Sequence, residues 1–240
     1  MNHSSDGFTP AELRKLRSLK DPHGIQRFLD AQPYHLADTA WSPRRVLREN
    51  TSHCYEGALF AAAALRVNGY PPLVIDLFAG SANTLYWIRR QVGACRAVGF
   101  ELDDAVFELA RANLSVVSRG IDLAHDSYER GLRALGEPDE DLIIVFVAPP
   151  WGRALSEGSG LDLRRTEPPV AEVIDVTTAA LGQRKLLFAV QVYEAVEPGS
   201  LAEVTTRLSW SAMKVYDINA PGQNHGLLLA GYGVPGGYDS

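Results

Sequence analysis

The chain lacks several features that define common classes of protein. Its 240 residues include only two cysteines, Cys54 and Cys95, which stand in different sequence contexts. We therefore expect neither a disulfide framework nor a zinc site, and we expect the protein to reside in a reducing compartment. No apolar run approaches the roughly 18 residues that a membrane span requires, and the polar N-terminus does not have the pattern of a signal peptide. We therefore expect a cytoplasmic protein that binds neither metal nor membrane.

Positive charge is scarce in the larger part of the chain. The net charge is -6 and is divided unevenly: residues 1–70 hold 9 basic and 7 acidic residues, whereas residues 71–240 hold 14 and 22. A protein that tracks the phosphates of a nucleic-acid duplex presents a basic face. The acidic part therefore argues against an extended duplex as partner, and it leaves a small or locally bound substrate open.

Two patterns divide the chain near residue 70. Residues 9–70 predict a helical N-terminal extension, since Thr9, Asp21 and Ser42 each precede a proline, as a cap precedes the first helical position. In residues 71–240, short apolar strands alternate with amphipathic helices, which is typical of a domain built on an α/β sheet.

The predicted elements define a fold class. Strands are predicted at 73–78, 96–100, 121–124, 141–147, 185–192, 212–218 and 225–232, and helices between them at 83–92, 103–117, 127–135, 167–181 and 199–208. The last two strands are separated only by a short loop, so they should form an antiparallel hairpin. The predicted fold is α/β: a Rossmann-like, seven-stranded, mostly parallel sheet with a C-terminal antiparallel hairpin, plus a helical N-terminal extension over residues 1–70.

A strand followed by a small-residue turn is the first candidate binding segment. Leu73–Thr84 predicts a strand that delivers a tight turn to the N-terminus of a helix, where backbone N–H groups can cradle a ligand. A second apolar run ends in Glu101, whose carboxylate suits hydrogen bonds to a ribose diol. Together they indicate a nucleotide-like ligand at the ends of two strands.

The segment Ala148–Trp151 follows another apolar run and is the second candidate. Pro149 and Pro150 make a stiff backbone without N–H donors, so its carbonyl oxygens can serve as acceptors. Trp151 offers a flat ring on which a planar molecule can stack. The segment can thus orient a planar group that carries an N–H donor.

Residues 72–232 resemble the class I S-adenosylmethionine-dependent methyltransferases. Asp76, Phe78 and Gly80 match the family's first motif, Asp-x-Phe-x-Gly-x-Gly. Ala82 departs from it, because the family usually has glycine there. The added methyl group stands where backbone and cofactor approach closely.

The resemblance implies S-adenosylmethionine as the cofactor. Glu101 would hold its ribose hydroxyls, and Asp126 would lie against the adenine amino group. The cofactor-binding residues that the resemblance implies are Asp76, Phe78, Ala79, Gly80, Asn83, Thr84, Glu101 and Asp126.

Ala148–Trp151 resembles the Asp/Asn/Ser-Pro-Pro-Tyr/Phe/Trp motif of family members that methylate exocyclic amines of bases. With the following glycine it is most similar to the Ser-Pro-Pro-Trp-Gly of enzymes related to cap guanine-N2 methylation. The resemblance implies RNA, a nucleotide or another planar amine as methyl acceptor. The catalytic residues that it implies are Ala148, Pro149, Pro150 and Trp151. Ala148 lacks the side-chain acceptor that Asp, Asn or Ser supplies.

Polar segments near these motifs add further candidates. Residues 153–167 predict a lid over the substrate, within which Arg164 and Arg165 are candidate contacts for an anionic group. Three residues of the predicted hairpin belong to the end of the sheet where ligands should bind: Asn219, Asn224 and His225.

Two other interpretations stay open. Residues 21–70 resemble the nucleophile-bearing half of a transglutaminase-like cysteine enzyme, with Cys54 at a helix N-terminus, where a thiolate is stabilised. The histidine and aspartate of such a triad are not found in the expected continuation. The activity in that case is acyl transfer or hydrolysis through Cys54. Alternatively, Ala82 and Ala148 permit an accessory protein that binds the cofactor without catalysis.

Overall fold

A computed structural model describes residues 8–20, 22–33, 42–50, 54–92, 96–117, 120–156, 158, 160–216 and 224–233. The chain forms two compact units. The first comprises Met1–Pro72 and Trp87–Arg96, and the second comprises Leu73–Tyr86 and Ala97–Ser240. Within the described ranges, no helix is both long and apolar enough to cross a membrane.

The described part of the first unit before residue 72 is helical, as predicted. Its helices are α1 (Pro10–Ser18), α2 (Pro22–Asp30), α3 (Pro43–Glu49) and α4 (Cys54–Val67). Thr9 caps α1 reciprocally with Glu12, since each residue's side-chain oxygen accepts the other's backbone N–H. The Asn68 amide joins α1 to α4, because it donates to the carbonyls of Leu16, Leu19 and Ala64. The division into separate domains, 1–70 and 71–240, stays a prediction.

The elements that follow alternate between strands and helices. They are β1 (Leu73–Asp76), α5 (Asn83–Val92), β2 (Arg96–Glu101), α6 (Asp104–Val117), β3 (Ile121–His125), α7 (Tyr128–Leu135), β4 (Leu142–Val147), a 3₁₀ turn (Gly152–Ala154), β5 (Leu155–Ser156), β6 (Gly160–Leu161), α8 (Val170–Leu181), β7 (Lys185–Tyr193), α9 (Pro198–Thr205), β8 (Trp210–Tyr216) and β9 (His225–Tyr232). Residues of α5 from Trp87 onward belong to the first compact unit.

Seven strands form the main sheet, in the order β3-β2-β1-β4-β7-β9-β8. β2 pairs with β3, β1 with β4, and β4 with β7, each in parallel. β9 pairs antiparallel with both β7 and β8, which makes the C-terminal hairpin. The predicted fold class is therefore confirmed. In such sheets ligands bind outside the carboxyl ends of the parallel strands.

The central strands are apolar because the sheet core surrounds them. β1 is buried at every position, and Ile143, Val145 and Val147 of β4 are fully buried. Burial of each such side chain stabilises the fold by roughly 1.5–3 kcal/mol. Asp76 at the end of β1 is buried with them at 1% exposure, so a charged residue type stands inside an apolar layer.

The segment 153–167, predicted as a lid, contains both exposed residues and residues that pack in the core. Its side chains Ala154, Leu161 and Leu163 are buried, and β5 pairs with β6 inside it. The N–H of Leu161 donates to the carbonyl of Ala195 at 2.8 Å, which fixes the segment beside the end of β7. The sequence did not predict β5 and β6, because two-residue strands have no periodicity to detect. The role of the segment as a lid stays a prediction.

Candidate functional site

The turn after β1 is held by backbone hydrogen bonds. The N–H of Ala79 donates to the carbonyl of Phe100 at 2.8 Å, and the N–H of Ala82 donates to the carbonyl of Ala79 at 2.7 Å. Gly80 and Ala82 have positive φ angles of 52° and 60°. Glycine adopts this region without steric cost, whereas at Ala82 it costs about 1–2 kcal/mol.

The methyl group of Ala82 does not obstruct the turn. Ala82 is fully buried and packs with Ala110 and Leu114 of α6. At Gly80, by contrast, a Cβ atom would stand in open space, its nearest neighbour being the carbonyl oxygen of Phe78 at 4.0 Å. A ligand can therefore approach the backbone at Gly80 although the motif's last glycine is missing.

Asp76 stabilises this turn through a side-chain hydrogen bond. Its Oδ1 accepts the N–H of Phe78 at 3.2 Å. Burial raises the pKa of Asp76 from 3.8 to about 7, the Phe78 hydrogen bond opposes the shift, and the negative charge of Glu101 adds to it. The buried carboxyl group therefore positions the turn.

Glu101 at the end of β2 ties two loops together. Its Oε2 accepts the N–H of Gly80 at 2.8 Å, and its Oε1 accepts the N–H of Asp103 at 2.8 Å. Each carboxylate oxygen has further lone pairs, so both remain able to accept hydrogen bonds from a diol. Glu101 is thus fixed before any ligand arrives.

Asp126 follows β3 at the start of α7. Its N–H donates to the carbonyl of Glu101 at 3.1 Å, and its Oδ1 accepts the N–H of Ser127 at 2.8 Å. A hydrogen bond from the Arg130 guanidinium holds the pKa of Asp126 below its ordinary value. Asp126 is therefore an anchored anion at the edge of the site.

A cavity of about 820 Å³ opens where β1, β2, β3 and β4 end. Its size suits a small-molecule ligand. Six of the predicted site residues line it: Phe78, Gly80, Glu101, Asp126, Ala148 and Pro150. The other predicted residues are not in its lining: Asp76, Ala79, Asn83, Thr84, Pro149 and Trp151.

The cavity has two sides. The turn side consists of Leu77, Phe78, Gly80, 100–104 and 126–129, and the proline side consists of Ala148, Pro150, Glu167 and Pro168. Six lining residues carry carboxylates: Glu101, Asp103, Asp104, Asp126, Glu129 and Glu167. Among the described residues, no lysine, arginine or histidine lines the cavity. This field favours sulfonium and ammonium groups and disfavours phosphate inside the cavity.

The backbone of the proline motif is partly engaged already. The carbonyl of Pro150 accepts the N–H of Glu167 at 3.2 Å, and the carbonyl of Trp151 accepts the N–H of Ala154 at 2.7 Å. Within the described ranges, no comparable backbone bond reaches the carbonyl of Pro149. Pro149 itself is buried and is not in the cavity lining, so its role as an acceptor stays a prediction.

Trp151 belongs to an aromatic cluster beside the motif. Its ring stacks on that of His225, with centroids 5.2 Å apart and planes at 26°, and meets Tyr193 edge-on at 6.1 Å. The Nε2 of Gln191 is 3.4 Å from the Nδ1 of His225. One face of the indole is therefore covered, and its role as a stacking platform stays a prediction for the other face.

The remaining candidates are dispersed. Arg164 forms ion pairs with Asp162 at 2.8 Å and Glu197 at 2.7 Å, so it stabilises the segment before α9. Arg165 is exposed and is not in the cavity lining. Asn219, Cys95 and the side chain of Cys54 lie outside the described part of the structure. The predicted reactivity of Cys54 stays a prediction.

Sequence reasoning did not single out several lining residues. Leu102 and Asp103 directly follow Glu101, so the strand end could have indicated them. Glu167 had a weaker signal, because it precedes a second Pro-Pro pair, Pro168 and Pro169. Its approach to Pro150 depends on tertiary structure.

Comparisons with known proteins yield distant likenesses only. No protein-family model matches the chain, and no curated protein matches it in sequence. Among solved structures it is similar to an rRNA methylase from Streptococcus thermophilus, with 14% identity, 75% of this chain and 98% of that chain covered, and a TM-score of 0.46. It is also similar to the precorrin-6y C5,15-methyltransferase from Geobacter metallireducens, at 16% identity, 73% and 85% coverage and a TM-score of 0.45.

A third likeness is to the B. subtilis tRNA methyltransferase TrmK, at 15% identity, with 73% of this chain and 65% of that chain covered and a TM-score of 0.45. At such identities and TM-scores, what these proteins do is not transferred to this chain. The function is therefore derived from the residues of its own site.

Proposed function

We propose that the chain is an S-adenosylmethionine-dependent methyltransferase that acts in the cytoplasm and methylates an exocyclic amine. One observation carries the proposal. A single cavity at the carboxyl ends of the strands is lined by Gly80, Glu101 and Asp126 on its turn side and by Ala148 and Pro150 on its proline side.

The turn side has the chemistry to hold the cofactor. In this proposal Glu101 accepts the ribose hydroxyls, Asp126 accepts the adenine amino group, and Gly80 lets the methionine part approach the backbone. All three residues line the cavity, and a Cβ atom at Gly80 would stand in open space. The lining carboxylates complement a ligand that carries an ammonium and a sulfonium. When bound there, S-adenosylmethionine would supply an electrophilic methyl group.

The proline side would position the acceptor. The carbonyl of Pro149 accepts an N–H of the amine, which directs the nitrogen lone pair toward the methyl carbon. In-line placement of nucleophile, methyl carbon and leaving group supplies much of the rate in such a displacement. A guanine-type base, as a nucleotide or in RNA, or another planar amine fits this arrangement. The acidic lining keeps any phosphate outside the cavity.

Calorimetry with S-adenosylmethionine and S-adenosylhomocysteine tests cofactor binding. We expect both to bind the intact protein. Glu101→Ala should weaken both roughly 100-fold, because hydrogen bonds to a charged carboxylate contribute about 1.5–3 kcal/mol. The matched control is Glu137→Ala. Glu137 is exposed, and its Oε1 forms an ion pair with Nη2 of Arg184 at 3.4 Å. This substitution should not change either affinity.

Absence of binding by the intact protein would contradict the proposal. Equal affinities in wild type and Glu101→Ala would place the ligand elsewhere. The acceptor is then sought by incubating cell extract with methyl-labelled cofactor and locating the label by mass spectrometry. Label in the exocyclic amine of a base or another planar molecule is expected, and label confined to carbon, oxygen or sulfur would contradict the amine assignment.

A further inference from the structure

The proline side lacks one group that an amine acceptor needs. At the head of the motif, Ala148 offers no side-chain oxygen, and the proposed function assigns a single acceptor, the carbonyl of Pro149. A primary amine has two N–H bonds, so one stays without a partner. The cavity lining contains a carboxylate on this same side, that of Glu167.

The backbone holds Glu167 in place independently of its side chain. Its N–H donates to the carbonyl of Pro150 at 3.2 Å. The hydroxyl of the neighbouring Thr166, which is buried, lies 3.0 Å from the carbonyl oxygen of Leu163 and 2.8 Å from that of Pro168. A substitution at position 167 therefore leaves the bond to the proline motif intact.

The Glu167 carboxylate differs from the anchored carboxylates of the cavity. Glu101 accepts two backbone N–H groups, and Asp126 accepts one together with an arginine. The exposed side chain of Glu167 has no hydrogen bond or ion pair to any residue that the structure describes. It is therefore available to a ligand at the proline side.

We propose that Glu167 supplies the acceptor oxygen that Ala148 lacks and binds the second N–H of the methyl-accepting amine. The proposal rests on the proposed function. In the transfer, the nitrogen lone pair forms the N–C bond as the C–S bond breaks. The electron pair of the broken C–S bond stays on sulfur, which leaves as a neutral thioether. The nitrogen becomes positively charged and gives a proton to the Glu167 carboxylate, from which water removes it.

A carboxylate makes this site more selective than an amide or hydroxyl would. It attracts the nitrogen as positive charge develops, which stabilises the transition state more than the ground state. It also repels an acceptor with an anionic group next to the amine. The acceptor class is thus an amine whose immediate surroundings carry no phosphate or carboxylate.

Sinefungin tests this without knowledge of the acceptor. It is an analogue of the cofactor with a primary amine, protonated near neutral pH, at the position of the transferable methyl group. The measurement is the ratio of the Kd of S-adenosylhomocysteine to that of sinefungin. Glu167→Gln should lower this ratio about tenfold at low salt, because a charge-assisted hydrogen bond becomes a neutral one. Glu167→Asp should retain part of the preference.

The control is Glu172→Gln, an exposed glutamate in the first turn of α8, which should leave the ratio unchanged. A ratio equal in wild type and Glu167→Gln would overturn the role of Glu167 while the proposed function stands. An equal loss of both affinities would overturn it as well, since that indicates a general structural effect. Failure of both ligands to bind the wild type would contradict the proposed function itself.

Discussion

The two sides of the cavity are built differently. On the turn side, the carboxylates of Glu101 and Asp126 are hydrogen-bonded by backbone N–H groups of neighbouring loops. On the proline side, the backbone is bonded but the side chain of Glu167 has no described partner. The fold itself therefore fixes the carboxylates of the turn side, whereas the Glu167 carboxylate of the proline side is free to bind a ligand.

Asp76 gives the strongest test of how rigidly the turn side is fixed. Its pKa is about 7 in the fold, against an ordinary 3.8. Between these values the folded chain holds a proton that the unfolded chain has lost, so this group makes the free energy of unfolding fall as pH rises from about 4 to about 7. Asp76→Asn replaces the ionisable carboxyl group with a neutral amide, whose oxygen can still accept the N–H of Phe78.

We therefore expect the stability gain of Asp76→Asn over wild type to rise from near zero at pH 4 to about 4 kcal/mol above pH 7. Urea unfolding of both proteins at pH 4.5 and 7.5 measures the difference. An exposed matched change, Asp122→Asn on β3, should show no comparable gain. If the stability difference between wild type and Asp76→Asn is the same at pH 4.5 and 7.5, Asp76 is ionised in the folded protein, and a charged carboxylate stabilises the turn.

Trp151 tests whether the two sides act separately. It is not in the cavity lining, and stacking of a base on an aromatic ring contributes about 1–3 kcal/mol. Trp151→Ala should therefore slow label transfer to the identified acceptor by about 50-fold and change the Kd of S-adenosylhomocysteine less than threefold. The control is Trp87→Ala, which removes a half-exposed indole from α5. If transfer and cofactor affinity both persist in Trp151→Ala, the indole only packs on Tyr193 and His225.

Two glycines extend the comparison to packing, with a smaller expected effect. A Cβ atom at Gly131 of α7 would overlap the ring of Phe100, which lines the turn side, whereas one at Gly158 would meet no atom within 4 Å. Gly131→Ala should lower the free energy of unfolding by about 1–2 kcal/mol, and Gly158→Ala should change it by less than about 0.5 kcal/mol. Urea unfolding at one pH checks both, and equal effects would mean that Phe100 can move aside.

The sequence named residues on both sides of the cavity. Of the predicted cofactor residues, Phe78, Gly80, Glu101 and Asp126 line it, whereas Asp76, Ala79, Asn83 and Thr84 do not. Gly80 and Glu101 each stand directly after a strand, and the carboxyl ends of neighbouring parallel strands meet at one edge of a sheet. The positions of most strands and helices were predicted from the hydrophobic periodicity and from the helix-capping residues. The sequence predicts 153–167 as a lid over the substrate, but the contact of Glu167 with Pro150 could not be predicted, because it depends on how this segment folds back.

The effect of Ala82 was also beyond the sequence. A motif position that loses its glycine suggests an obstructed cofactor site, and only the packing against Ala110 and Leu114 shows where the methyl group lies. The covered face of Trp151 is a similar case, since its partner His225 comes from the far end of the chain. Both depend on contacts between elements that are distant in sequence.

The helix α5 has a consequence for how such a chain can be assembled genetically. Its residues up to Tyr86 belong to the compact unit that holds the cavity, and those from Trp87 to Val92 belong to the other. Each unit is therefore discontinuous along the chain. Recombination that exchanged one unit as a module would need several breakpoints, and a single junction before Leu73 would carry part of one unit away with the other.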